Sequence, residues 1–131
     1  MNPSLEGKAY PAVPFEVEAE AVRRFAAAVG DDRPGVPPTF VTVVEIAAAW
    51  GPVVGDPDLA IDFARVVHAE QAYEFVRPLR VGDRLRAAAT IESIRVKGAH
   101  GFLTIRTDLL DAATGERVAT ARSTLLERGD A

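Results

Sequence analysis

The sequence predicts an α+β fold in which an antiparallel β-sheet curls around one apolar helix. Three observations lead there. Apolar residues recur with a helical period up to Trp50 and with a period of two from Val67 onward. The second helical stretch, Thr39 to Trp50, carries a single charge, Glu45, and a helix that is apolar nearly all round is a buried one. The strand-like stretches that follow are joined mainly by short turns containing Gly and Asp, the usual connections of antiparallel neighbours. At 131 residues and 14.0 kDa the chain has the length of one domain, residues 1–131, and should bury roughly two-thirds of its unfolded surface.

Each element has its own signals. Pro3, Pro11 and Pro14 keep the first fourteen residues extended or looped, because proline donates no ladder hydrogen bond and biases its predecessor away from helix. Phe15 to Val17 reads as a short strand. Helix 1 is expected over residues 18–29, where Val22, Phe25, Ala26 and Val29 share one face and Gly30 follows as a left-handed cap. Three prolines and two glycines exclude regular structure from residues 30–38. Helix 2 is expected over residues 39–50, stopped by Gly51-Pro52, with Phe40, Val44 and Ile46 in the core and residues 51–60 as a second loop. Val67, Ala69, Gln71, Tyr73 and Phe75 then alternate with His68, Glu70, Ala72 and Glu74 in a half-buried strand. Leu85 to Val96 is a long strand whose apolar phase slips near Ser93, the mark of a bulge. Phe102 to Leu110 alternates again, and Gly115 is the positive-φ residue of the next turn. Arg117 to Glu127 closes the sheet, and residues 128–131 should fray. Open sheet edges invite pairing, so a dimer with a continuous sheet is expected.

Composition excludes several classes of chemistry. Without cysteine there is no disulfide scaffold, thiolate metal site or thiol nucleophile, and two histidines alone make a zinc site unexpected. A net charge of −4 argues against a nucleic-acid surface. No apolar run approaches the ~20 residues of a membrane-spanning helix. Met1 to Lys8 lacks the charged head and apolar block of a signal peptide, which makes the cytoplasm the default location.

Four stretches, in order, carry a family resemblance: Val29-Gly30-Asp31-Asp32-Arg33-Pro34, Val36-Pro37-Pro38-Thr39-Phe40, His68 to Phe75, and Arg77 to Leu85. With the opening Gly7-Lys8 segment and the closing hairpin they span nearly the whole chain, which resembles the MaoC-like dehydratases of the hot-dog fold. More narrowly, it resembles the N-terminal-type domain found as the non-catalytic half of acyl-thioester dehydratases. The resemblance implies a single hot dog and (R)-specific hydration of enoyl thioesters, or the reverse dehydration, carried on coenzyme A or acyl carrier protein with no further cofactor. It also implies a homodimer, or a heterodimer with a catalytic MaoC-like subunit. Catalytic members hold a water with Asp and His in a Gly-Asp-x-Asn-Pro-x-His pattern, a pairing suited to proton transfer near neutral pH. Here Gly30, Asp31 and Pro34 match, Arg33 stands in place of Asn, and Val36 stands where the His belongs. Valine transfers no proton, so the chain is expected to shape an acyl tunnel and support a catalytic partner.

The candidate catalytic groups are therefore Asp31, read either as a surviving water-holding group or as a turn residue, and His68, paired at i, i+2 with Glu70 or simply structural. Arg77, Arg80 and Arg84, with Arg86 nearby, are candidates for the phosphates of the acyl carrier, since the guanidinium fork suits that geometry; the alternative is an ordinary solvated turn. Two other functions stay open. A self-sufficient hydratase or thioesterase is one, the latter needing a carboxylate on or opposite helix 2, where Glu45 is the only acid. An acyl-binding or assembly protein without catalysis is the other.

Overall fold

The computed structural model describes residues 1–130, and Ala131 lies outside the described residues. Strand β1 (Val13–Glu16) is followed by helix α1 (Ala19–Val29). The central helix, residues 38–54, comes next in segments: a 3₁₀ turn at Pro38–Phe40, α2 (Val41–Glu45), a π-helical stretch at Ile46–Trp50, and α3 (Gly51–Val54). A 3₁₀ turn at Phe63–Arg65 leads into β2 (Val66–Phe75), β3 (Arg84–Lys97), β4 (His100–Asp111) and β5 (Arg117–Glu127). The strands form one antiparallel sheet in the order β1-β3-β4-β5-β2, so β1 and β2 are its edges.

The sheet curls around the central helix because its inner face is continuous. Leu85, Ala87, Ala89 and Ile91 of β3 and Leu103, Ile105, Thr107 and Leu109 of β4 alternate inward and are buried. The pairing of β3 with β4 shifts between Ile91 and Ser93, which returns Ile94 to the core, as the phase slip in the sequence requires. Phe40, Val41, Val44, Ala48, Ala49 and Val53 cover this face from the helix side. Phe40 is wholly buried, edge-on to Phe25 of α1 at 5.6 Å and to Phe15 of β1 at 6.4 Å. The outer face carries charges of alternating sign: Glu74, Arg122, Glu92, Arg106 and Asp108 link successively at 3.4, 3.0, 3.8 and 3.3 Å.

Several expectations are corrected. The central helix does not stop at Gly51-Pro52 but continues to Val54. Pro52 lies in the first turn of α3, just after the π-helical stretch, where the widened ladder loses least from a missing N–H. Gly55 then ends the helix, at a position where a Cβ would sit 2.8 Å from the Gly51 carbonyl oxygen. Ile46 is 55% exposed, because Val44, Glu45, Ala48 and Ala49 take the inward positions and turn it outward. Val29 is likewise exposed at the end of α1, beside Gly30 at φ +71°. The short strand before α1 covers Val13–Glu16 rather than Phe15 to Val17. Residues 128–130 are tied down: the Arg128 N–H donates to the Arg65 carbonyl and the Gly129 N–H to His100 Nδ1.

Candidate functional site

The start of the central helix and the turn after β2 enclose an apolar cleft of about 170 Å³, lined by Val36, Pro37, Pro38, Phe75, Pro78 and Leu79. Pro37, Pro38 and Pro78 carry no backbone N–H, which leaves this wall short of donors, and the side chains facing the space are hydrocarbon. Such a surface accepts an aliphatic chain and offers no group that moves a proton.

Asp31 is held by Arg33. Its carboxylate accepts from the Arg33 backbone N–H at 3.0 Å and from Arg33 Nε and Nη2 at 3.0 and 2.8 Å. The arginine standing in place of the pattern's Asn thus takes both carboxylate oxygens and holds Asp31 ionised, with its pKa lowered to about 2. Arg77 makes the same kind of fork with Asp83, at 2.8 and 3.1 Å, and Asp83 also accepts the Arg80 N–H, so this pair closes the turn between β2 and β3. The Arg80 and Arg84 side chains are exposed, and Arg84 lies opposite Glu16 in the β1–β3 register.

His68 is placed by a bulge. The pairing of β2 with β5 shifts between His68 and Glu70, leaving Ala69 as the extra residue. Val66 and His68 therefore share the helix-facing side with Gln71, Tyr73 and Phe75, while Val67 turns outward and is 40% exposed. The expected pairing of His68 with Glu70 on one polar face is corrected accordingly. His68 instead meets the Trp50 ring edge-on at 5.4 Å.

The same seam between the central helix and β2 holds Glu45, which the sequence marked only as the one acid a thioesterase could use. Glu45 has no solvent-exposed surface. Gln71 Nε2 lies 2.8 Å from its Oε1, Ser123 Oγ lies 2.6 Å from its Oε2, and Ser123 Oγ lies 2.7 Å from Gln71 Oε1. Burial pushes the Glu45 carboxyl up, against the opposing pull of Ser123, Gln71 and His68. One turn earlier the Thr42 and Tyr73 hydroxyls hydrogen-bond. The signal available in the sequence was a glutamate alone in an apolar helix; its partners, 26 and 78 residues away, had none.

A family model described as "FAS1-like, dehydratase domain region" matches residues 32–121. The chain belongs to this family. A UPF0336 protein of Streptomyces coelicolor is 40% identical over 145 aligned positions, covering 98% of this chain and 95% of its own length. That alignment is longer than the 131 residues here, so the Streptomyces relative carries insertions that this chain lacks. Among solved structures, the C-terminally truncated HadBC (3R-hydroxyacyl-ACP dehydratase) complex of Mycobacterium tuberculosis superposes with a TM-score of 0.77 at 27% identity, over 93% of this chain and 96% of that one. A MaoC-like dehydratase superposes with a TM-score of 0.84 at 24% identity, over 96% of this chain and 43% of that one. The fold is thus the MaoC-like hot dog, and this chain matches less than half of that longer dehydratase.

Proposed function

We propose that this chain is a subunit of an (R)-specific 3-hydroxyacyl-thioester dehydratase or enoyl-thioester hydratase, and that it is the half that shapes the acyl site without carrying out the proton transfer. One observation carries the reading: Val36 lines the apolar cleft at the position where the family pattern has its histidine. Neither imidazole stands in for it. His68 packs on Trp50, and His100 accepts the Gly129 N–H. Asp31, the other half of the expected pair, is occupied by Arg33. Hydration needs a base to take a proton from water as oxygen adds to the β-carbon, and an acid to return one at the α-carbon. This cleft supports binding of the acyl chain of a coenzyme A or acyl-carrier-protein thioester, while a catalytic MaoC-like partner supplies the Asp and His. The edge strand β2, with its ladder free on one side, is the surface for that partner. The similar HadBC dehydratase is a complex, which supports the two-chain arrangement. A thioesterase built on Glu45 is disfavoured, because that carboxyl is sealed from solvent.

The test is an ultraviolet assay of enoyl-thioester loss with this chain alone, a catalytic MaoC-like partner alone, and both. The expected result is little turnover by this chain, since one such acid–base group contributes about 10²–10⁴-fold, and full turnover in the complex. Asp31→Asn in the complex leaves most of that turnover intact. Strong hydration by this chain alone overturns the reading, and loss of the complex's activity on Asp31→Asn assigns the carboxylate a catalytic role.

A further inference from the structure

The three contacts among Glu45, Gln71 and Ser123 fix a proton count. They form a closed ring: Gln71 Nε2 to Glu45 Oε1, Glu45 Oε2 to Ser123 Oγ, and Ser123 Oγ to Gln71 Oε1. Each contact needs one hydrogen between its two heavy atoms. A glutamine amide supplies the first. A serine hydroxyl has a single hydrogen and supplies only one of the remaining two. With an ionised Glu45 the ring is one proton short, and two oxygens face each other at hydrogen-bond distance. With a protonated Glu45 it closes: the carboxyl O–H donates to Ser123, Ser123 donates to Gln71, and Gln71 donates to the carboxyl oxygen. Turning the Gln71 amide over leaves the same shortfall, because Glu45 Oε1 then faces an amide oxygen.

We propose that Glu45 is a proton-dependent latch, neutral when the chain is closed, that clamps the edge strand β2 to the central helix and releases it on ionisation. The three ring members come from three different elements, α2, β2 and β5, so the ring ties the helix to the two strands at the open side of the sheet. On either side of it along the seam, β2 meets the helix through Thr42–Tyr73 and Trp50–His68. The titratable groups facing Glu45 are His68 and Tyr73, both from β2. The sheet face beyond Ser123 offers Ile105 and Thr107, neither of which titrates. An imidazolium at His68 favours the carboxylate and a neutral one does not, so among the described residues no charged group near the ring compensates an ionised Glu45 once His68 is neutral. Loss of the proton removes one hydrogen bond and leaves an uncompensated buried charge, and of the three ring elements β2 is the edge strand, paired on one side only. Because β2 is also the edge offered to the partner above, the latch rests in part on that reading; its test uses this chain alone and stands apart from it.

The direct measurement is the carboxyl ¹³C resonance of Glu45 in the wild-type chain, assigned with Glu45→Gln. The expected result is a carboxyl that stays protonated well above the ordinary carboxylate range; titration within that range overturns the proposal. Glu45→Gln keeps the ring without a titrating proton, since its amide donates to Ser123 and accepts from Gln71. The folded-state pKa lies above the unfolded value of 4.5, so the stability contributed by Glu45 is complete below 4.5 and is lost as pH rises toward the folded value. The folding constant of wild type relative to Glu45→Gln should therefore fall about tenfold per pH unit across that window. Amide exchange of β2, measured against that of β4 at each pH, should rise in the wild type over the same window and stay level in Glu45→Gln. A β2-to-β4 ratio unmoved while Glu45 titrates shows a buried acid that is not a latch, and overturns the proposal.

Discussion

Replacing Phe40 by alanine removes the largest fully buried side chain of the central helix at the point where three elements meet. The phenyl ring has no exposed surface, and its edge-on contacts with Phe25 and Phe15 tie α1 and β1 to the helix. A buried Phe→Ala change costs about 3–5 kcal/mol through lost transfer energy and the cavity left behind. Loss of two aromatic pairs, each worth about 0.5–1.5 kcal/mol beyond area, places this site toward the upper end. Against a total stability of about 5–15 kcal/mol that is a large fraction. Urea unfolding followed by far-ultraviolet circular dichroism measures it, with the slope in urea expected to be unchanged because the same surface is exposed. Phe63→Ala, at a side chain 59% exposed, is the control and should lie within about 0.5 kcal/mol of wild type. A Phe40→Ala variant as stable as that control would refute the placement of the helix at the centre of the sheet.

Two further perturbations test other parts of the fold. Asp56 accepts from Lys8 Nζ and Tyr10 Oη, which lower its pKa from 3.8 to about 2. A carboxyl depressed in the folded state contributes stability above its unfolded pKa and loses it as pH falls through the folded one, so the gap in urea midpoint between wild type and Asp56→Asn should close between about pH 4 and pH 2; a constant gap refutes the pairing. Ala60 is the one non-glycine residue at positive φ among the described residues, +55°. A left-handed alanine costs about 1–2 kcal/mol, and the added freedom of glycine in the unfolded chain returns about 0.4–1 of it. Ala60→Gly should therefore raise stability by roughly half a kcal/mol, and a lower thermal midpoint contradicts that.

What was legible in the sequence was what local chemistry decides. Gly30 and Gly115 adopt the positive φ that their positions after a helix and in a tight turn demand. The slip near Ser93 showed because large apolar residues flank it, so a change of phase moved Leu85 and Ile91 onto a different parity from Ile94. The slip at Ala69 did not show, because Val66, Val67, His68 and Ala69 allow either parity to pass as an apolar face. The helix beyond Gly51-Pro52 was hidden for another reason: the π-helical stretch that accommodates proline is a property of the packed ladder and not of residue type. At the site, the substitution of Val36 for histidine was readable by position, whereas the capture of Asp31 by Arg33 depends on a turn geometry that only the folded chain shows. Glu45 was visible as a lone acid, but a ring that draws on three elements has no local signature.

The bulge at Ala69 makes strand pairing, and not residue identity, the determinant of what faces the central helix at the near end of β2. Because strand side chains alternate, ironing the bulge out with every residue retained, so that Ala69 took a paired position, would exchange the two faces of everything between it and the strand's start. Val67 would turn to the helix and His68 to solvent, with no change in any neighbouring letter of the sequence. Deletion of Ala69, by contrast, would leave His68 opposite Leu125 and facing the helix, at the end of a strand without a bulge.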